Sequence, residues 1–318
     1  MGPALAVTAA SAAAWALWSR GQGGVPLAAS TAALALLFLP YFCFGLGRLD
    51  TQVAQTLRGG SARVWSLATL LLVPYSLYGW GTGSFSVSAV AKLALFVFLP
   101  TGLLFFGRGR GRRPSGWDYL AVLAIWHPFD FRWLNGIWVW PEGLTSYSFN
   151  TVLAVDLAVL LFVGFRDIQG VGFRFRLQKD DIFVIVGNFL MFSAVAIPVG
   201  LAIGFIEYHP RTPDVLGLLS SFVTIFLFIG LPEELLFRGL VQNFLEKSLA
   251  RGWGSLLLAA VIFGAAHLNN HPAPNWAYFL LASMAGIFYG RAYTQSGGLL
   301  VPAALHALVD TTWRAFFR

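Results

Sequence analysis

Residues Ile229–Leu240 read IGLPEELLFRGL and lie inside a longer apolar run of Leu, Ile, Phe and Val. This stretch nevertheless contains two adjacent carboxylates, Glu233 and Glu234, and a cation, Arg238. Ionisable side chains at membrane depth are costly and by default mark a functional site. Glu234 and Arg238 are four residues apart, so a helix brings them face to face as a pair. Glu233 is rotated by about 100° around the same helix, so we expect it to point elsewhere.

The composition of the whole chain predicts a membrane protein. Of its 318 residues, 57% are hydrophobic and 11% are charged, whereas soluble domains carry about 25% charged residues. The mean hydropathy is +0.70. Apolar runs recur near the length of a transmembrane helix, so we expect an all-α, polytopic transmembrane helical bundle of about 10–11 membrane segments. The candidate segments are about 4–18, 25–47, 64–80, 87–106, 118–129, 148–165, 182–206, 215–244, 253–268, 276–293 and 298–316.

The positive charge of the chain is concentrated in short loops between the apolar runs. The formal net charge is +7, which we attribute to membrane topology and anionic lipid headgroups rather than to nucleic acid. Basic loops face the cytoplasm, so we expect a multi-pass protein of the inner or plasma membrane with a cytoplasmic N-terminus. The residues behind this prediction are Arg48, Arg58, Arg63, Arg108, Arg110, Arg112, Arg113, Arg166, Arg174, Arg176 and Lys179.

A tryptophan-rich stretch follows the short apolar run at 118–129. It contains Trp133, Trp138 and Trp140, and Trp126 lies just before it. Tryptophan is enriched at membrane–water interfaces. We therefore expect an interfacial re-entrant or amphipathic segment here that forms an aromatic belt, and a substrate-gripping role is the alternative.

Two more apolar segments contain polar residues at helical spacing. VIFGAAHL places Phe263 and His267 four residues apart, and AALHALVD does the same for His306 and Asp310. With a rise of about 1.5 Å per residue, these residues and Glu233 reach comparable depths in the membrane. The sequence therefore predicts one shared, buried polar site instead of three unrelated ones.

The motifs EExxxR, FxxxH and HxxxD follow one another in this order on successive hydrophobic segments. In this respect the chain resembles the CPBP family of intramembrane endopeptidases, also called the CAAX protease, bacteriocin-processing or ABI family. The resemblance covers roughly residues 180–318, and Asp310 stands where some members have Asn. It implies an intramembrane protease that acts on a membrane-associated protein or peptide. The site residues that it implies are Glu233, Glu234, Arg238, His267, His306 and Asp310.

The residue types suit peptide hydrolysis, which needs an activated water and a stabilised oxyanion. Glu233 is the candidate general base, because a carboxylate in an apolar bundle is suited to that role, and His267 would hold or polarise the water. His306 and Asp310 would donate hydrogen bonds to the oxyanion or to the substrate carbonyl. Asp310 is alternatively the residue that orients the His306 imidazole.

The sequence leaves the involvement of a metal open. Two histidines and one carboxylate, here Glu233, His267 and His306, are enough to bind a divalent metal such as Zn²⁺ with one open position. The family has been described both as a metalloprotease family and as a glutamate protease family. The helix-borne HExxH zinc motif is absent from this chain, which favours the metal-free glutamate mechanism.

The polar motifs all lie in the C-terminal half. We therefore expect residues 1–180 to form an accessory transmembrane region and residues 181–318 to form the catalytic bundle. A proton-coupled transporter also uses buried Glu, His and Arg, but it should show repeated broken helices in both halves. A non-catalytic immunity or scaffold protein should have lost part of the motif set. Both stay as alternatives to the protease.

Two helix features should shape the predicted site. Pro232 directly precedes the glutamates, and a proline inside a helix bends it and frees a backbone carbonyl. That bend would open room for an extended peptide beside Glu233. Gly286 and Gly290 form a GxxxG pattern, which favours close packing between helices.

Overall fold

The computed structural model describes residues 2–18, 24–47, 61–107, 113–140, 145–210, 214–249 and 252–318. The chain divides into two compact units, Met1–Gln169 and Gly170–Arg318. Several of the basic residues behind the orientation prediction lie outside the described ranges, namely Arg48, Arg58, Arg108, Arg110 and Arg112.

The described part of the first unit is helical. Its helices are α1 (Gly2–Trp18), α2 (Val25–Gly45), α3 (Ser61–Leu70), α4 (Val73–Gly81), α5 (Val87–Phe106), α6 (Gly116–Asp130) and α7 (Thr145–Ala158). The last helix continues as a π-helical segment, Val159–Phe165. Helix α2 packs against α1, α4 and α7, while α5 packs against α3 and α6. A bidentate ion pair between Arg166 and the buried Asp118 ties the end of the π-helical segment to α6.

Two features of the first unit differ from the prediction. The apolar run at 64–80 is two helices, because the chain turns at Leu71–Leu72 ahead of Pro74, whose ring does not fit the interior of a helix. Trp138 was expected at the membrane interface but is buried in the core. Its indole Nε1 donates a hydrogen bond of 2.8 Å to Asn150, and its ring contacts Tyr78. The indole satisfies its one donor inside the protein, so the residue needs no interfacial water.

The described part of the second unit is formed by five helices. They are α8 (Asp181–Ala202), α9 (Val215–Ser248), α10 (Trp253–Ala265), α11 (Trp276–Ser296) and α12 (Leu300–Phe316). Helix α11 packs against α8, α10 and α12, and α12 also packs against α8 and α9. The start of α11 is capped by the Asn275 side chain, which accepts a hydrogen bond from the Tyr278 N–H. The same helix ends at Gly297, whose φ of 67° is left-handed and suits glycine.

The fold is an all-helical, polytopic membrane bundle, as the hydropathy pattern predicted. Five of the described helices are long and apolar enough to cross a membrane: Val25–Gly45, Val87–Phe106, Ser146–Phe165, Asp181–Ala202 and Val215–Ser248. Helix α8 and the first half of α9 expose large apolar side chains, as lipid contact requires. Examples are Phe183 (74% exposed), Leu190, Leu216 (78% exposed) and Leu219.

Candidate active site

Helix α9 carries the first motif at the point where its winding changes. Pro232 lies in a single α-helical turn, Leu231–Glu234, between two π-helical segments, Phe226–Gly230 and Leu235–Gln242. Proline has no N–H to donate, so regular α-helical hydrogen bonding is interrupted here. The helix accommodates the proline by widening on both sides, and such π-helical segments are frequent at functional sites.

The two glutamates of α9 have different surroundings. Glu234 is fully buried, and its Oε1 accepts hydrogen bonds from Arg238 Nη1 at 3.0 Å and from His306 Nδ1 at 2.9 Å. Because a carboxylate oxygen can only accept, the proton of this His306 tautomer lies on Nδ1. Arg238 therefore holds Glu234, as the spacing predicted, and Glu234 in turn fixes the imidazole ring of His306.

Arg238 is buried among aromatic rings and backbone. Its guanidinium carbon lies 4.3 Å from the centre of the Phe263 ring and 5.2 Å from the centre of the Tyr289 ring. Its Nη2 donates a longer hydrogen bond, of 3.4 Å, to the carbonyl of Gly286. Cation–π contacts and a paired carboxylate compensate for the removal of this cation from water. Arg238 thus joins α9 to α10 and α11.

Close backbone contacts bring these helices together. A Cβ atom at Gly230 would lie 2.9 Å from the carbonyl oxygen of Ala303, so α9 and α12 touch at this glycine. Gly230 precedes Glu234 by one turn, and Ala303 precedes His306 by nearly one turn. Gly286 meets α10 in the same way, with a hypothetical Cβ 2.8 Å from Ala260 Cα. The expected role of the GxxxG pattern in close packing is confirmed.

Glu233 is the less enclosed of the two carboxylates. Its side chain is 27% exposed, and its Oε2 is buried without a hydrogen-bond partner among the described residues. This oxygen lies 4.0 Å from Nε2 of His306, and Asp310 Oδ2 lies 3.8 Å from the same nitrogen. Both separations exceed a direct hydrogen bond but are short enough for one bridging water. Asp310 therefore does not make the direct contact to His306 that orienting its imidazole would require, and Glu234 fills that role.

His267 lies just beyond the end of α10, which was expected to continue to about residue 268. The helix ends at Ala265, and His267 follows in a turn. Its Nδ1 is 2.8 Å from the carbonyl oxygen of Phe263. A carbonyl can only accept, so Nδ1 carries the proton and Nε2 of the neutral ring has a free lone pair. The FxxxH spacing therefore places the His267 side chain next to the Phe263 carbonyl, and the hydrogen bond between them orients the histidine.

A cavity of about 90 Å³ adjoins this cluster. Since one water needs about 10–15 Å³ by this measure, the cavity has room for several. Its polar lining includes His267, Tyr278, Tyr289, His306 and Asp310, and the rest of its lining is mostly apolar. Glu233 does not line the cavity. It lies next to the cavity, because its Oε2 is 4.0 Å from Nε2 of the lining residue His306.

Two tyrosines of α11 contribute to the site and were missed by the sequence reasoning. Tyr289 stacks on the His306 ring, with the ring centres 4.8 Å apart and the planes at 20°. Tyr278 packs on His267, with the ring centres 4.5 Å apart. Both lie on α11, in which the GxxxG pattern was the feature that the sequence singled out. Tyr289 occurs within that pattern, but an aromatic residue in an apolar helix carries no distinctive signal.

The donor arrangement does not fit a metal centre. In the described part of the chain, no three His, Cys, Asp or Glu side chains converge as a bound metal requires. In particular, Glu233, His267 and His306, which the sequence suggested as Zn²⁺ ligands, do not converge in this way. A catalytic zinc needs three protein ligands at about 2.0–2.2 Å. We therefore assign no step to a metal.

Comparison with known proteins identifies the same part of the chain. Residues 215–312 match the family described as Type II CAAX prenyl endopeptidase Rce1-like. The matched range contains Glu233, Glu234, Arg238, His267, His306 and Asp310.

Two curated bacterial proteins are similar to the chain. The "Uncharacterized 24.3 kDa protein" of Escherichia coli is 34% identical over 129 residues, or 40% of this chain and 57% of that protein. "Uncharacterized protein YpbD" of Bacillus subtilis (strain 168) is 28% identical over 92 residues, or 29% of this chain and 43% of that protein. The chain thus spans about half the length of the curated relatives it matches. No solved structure matches the chain.

The family match confirms the resemblance drawn from the three motifs, and it supports intramembrane endopeptidase activity in general. Residues 215–312, about a third of the chain, are similar to the family described as Type II CAAX prenyl endopeptidase Rce1-like.

Proposed function

We propose that the second unit hydrolyses a peptide bond of a membrane-associated protein or peptide with a water molecule activated by Glu233. The observation that carries this proposal is the contrast between the two glutamates. Both glutamates have an Oε2 without a hydrogen-bond partner among the described residues. Glu234 is fully buried and its Oε1 accepts two hydrogen bonds, whereas the side chain of Glu233 is 27% exposed and lies 4.0 Å from Nε2 of His306. A general base must be reachable by water, and of the two carboxylates the partly exposed Glu233 meets this need.

The histidines take complementary roles in this mechanism. Glu233 removes a proton from the attacking water and returns it to the nitrogen of the leaving amine when the C–N bond breaks. The Nε2 lone pair of His267 accepts a hydrogen bond from the other O–H of this water and so orients it. His306 is held through Nδ1, so its Nε2 is the nitrogen available to a substrate oxygen. In the protonated ring this nitrogen donates a hydrogen bond to the developing oxyanion, and preorganised donors of this kind lower the barrier of acyl transfer.

Asp310 and the aromatic residues support these groups. Asp310 lies 3.8 Å from His306 Nε2 and lines the same cavity. As a protonated carboxyl it donates a second hydrogen bond to the substrate carbonyl, and as a carboxylate it stabilises the charged imidazole of His306. Arg238 and Glu234 are positioning residues, since they act on the chemistry by holding His306 and α9 in place.

The substrate would approach along the apolar part of the cavity. Phe192, Ala196, Leu281 and Trp313 line this part, next to His306 and Asp310. A wall of this kind suits an apolar side chain or a lipid group attached to an extended peptide. We assign the first unit an accessory role in substrate docking.

The direct test is cleavage of a defined substrate by the full chain reconstituted in lipid vesicles. A farnesylated peptide ending in a CAAX sequence follows from the family match, and a membrane-anchored peptide without the prenyl group tests for broader specificity. Wild type should cleave at least one of the two. Glu233→Gln, Glu233→Ala, His267→Ala and His306→Ala should cleave neither.

A matched control separates chemistry from folding. Glu207→Gln changes an exposed glutamate of the same unit, paired with Arg318, and should retain full activity. Equal cleavage by wild type and by folded Glu233→Gln protein would rule out the proposed base. Proton uptake coupled to solute movement in the same vesicles, without cleavage, would instead identify a transporter.

A further inference from the structure

The first unit contains a buried carboxyl group that the proposed protease chemistry does not use. Asp156 is 2% exposed and belongs to α7. It lies near the middle of the apolar span Ser146–Phe165, or about 15 Å from either end at 1.5 Å per residue. Both of its carboxyl oxygens are buried without a hydrogen-bond partner among the described residues.

Asp156 lines a cavity within the first unit. The cavity measures about 400 Å³, within the range of about 300–1,000 Å³ that is typical of small-molecule sites. Its other walls come from α2, α3, α4, the turn between α3 and α4, and the π-helical segment after α7, and they are apolar. Asp156 is the ionisable side chain among the lining residues. An apolar pocket with one ionisable group is a usual composition of a selective ligand site.

A residue of the same wall carries a backbone carbonyl without its regular helical donor. Pro40 is inside α2 and lines the cavity together with Leu36, four residues earlier. Because proline has no N–H, the Leu36 carbonyl lacks its regular helical hydrogen bond from residue 40. The Leu36 carbonyl is therefore a candidate second acceptor for a ligand bound at Asp156, at a depth where bulk water does not satisfy it.

We propose that this cavity binds a small hydrophobic amine, with the ammonium group on Asp156 and the hydrocarbon body against the apolar walls. A primary ammonium carries three donors and a positive charge, which suits both free carboxylate oxygens and leaves one donor for a carbonyl. An acidic ligand would meet a like charge, and a pure hydrocarbon would leave the carboxylate unpaired. Pairing is what makes a charge tolerable in this environment.

The binding test uses two probes of the same shape that differ in their polar group. 1-Adamantylamine is protonated at neutral pH, as expected for a primary alkyl amine, whereas 1-adamantanol is neutral. The full chain in lipid nanodiscs is titrated with each probe, and the thermal unfolding midpoint is followed. We expect the amine to raise the midpoint of wild type with saturation and the alcohol to have little effect.

Variants locate the site. Asp156→Asn keeps the size of the side chain and should weaken amine binding at least tenfold. Leu36→Trp enlarges a half-exposed side chain of the cavity wall and should block binding, whereas Leu99→Trp, at a similarly exposed position of α5 outside the lining, should not. An equal amine effect in wild type and in both Asp156→Asn and Leu36→Trp would overturn the proposal. Equal saturable binding of the alcohol would overturn the assignment of the ammonium group.

Discussion

Glu234 and His306 are joined by a buried hydrogen bond of 2.9 Å, although they lie 72 residues apart in the chain. The same glutamate oxygen also accepts a hydrogen bond from Arg238, so one atom fixes two side chains on two helices. This shared acceptor leaves Nε2 of His306 facing Glu233 and Asp310. In the proposed mechanism, the second glutamate of the EExxxR motif is therefore a positioning residue and the first one is the general base.

We expect Glu234→Gln to destabilise the protein by about 3–5 kcal/mol, because it leaves the buried Arg238 without its paired charge. Glu207→Gln is the matched control, since its ion pair with Arg318 is solvent-exposed and such pairs contribute at most about 1 kcal/mol. Denaturant unfolding of both variants in the same detergent measures the difference. Equal stability of the two variants would contradict the proposed role of Glu234.

Glu233→Gln should have the opposite effect, with little change in stability and a large loss of activity. Because Glu233 Oε2 has no hydrogen-bond partner among the described residues, its replacement should leave stability within about 0.5 kcal/mol of wild type. Loss of a general base should lower kcat by about 10²–10⁴. Cleavage kinetics and unfolding are measured on the same preparation. A variant that is strongly destabilised yet active would reverse the roles of the two glutamates.

Gly230→Ala should lower activity without any change at the polar residues. The added Cβ would lie 2.9 Å from the Ala303 carbonyl oxygen, so α12 must shift and carry His306 with it. A misplacement of about 1 Å is enough to lower the rate about 10²-fold.

The control for this variant is Gly187→Ala in α8, where a Cβ meets no atom within 4 Å. This change should preserve activity and stabilise the helix by up to about 1 kcal/mol. If Gly230→Ala and Gly187→Ala have the same kcat, the contact between α9 and α12 does not position the site.

Metal chelation should leave cleavage unchanged. The carboxylate and imidazole groups of the described site do not converge as metal ligands, and the proposed mechanism uses Glu233 as the base. Activity is measured after prolonged incubation with EDTA and with 1,10-phenanthroline. A loss of activity that added Zn²⁺ restores would show that the site rearranges around a metal during turnover.

Local patterns in the sequence predicted much of the site. Glu234 and Arg238 are one helical turn apart, and a helix alone brings such residues together. The apolar segments around the three motifs likewise predicted helices and a shared buried location. The exact ends of helices were less predictable, and His267 lies in a turn after α10 because the helix ends at Ala265.

The sequence by itself determined the membrane-embedded helical class, the positions of the polar motifs and the pairing of Glu234 with Arg238. These properties depend on composition and on spacing within one helix. The tertiary structure decided that Glu234, and not Asp310, holds His306, and that Tyr278 and Tyr289 pack on the two histidines. Only the tertiary structure could decide this, because contacts between helices depend on close backbone packing, such as that of Gly230 on Ala303. Residue spacing within one segment does not encode such packing.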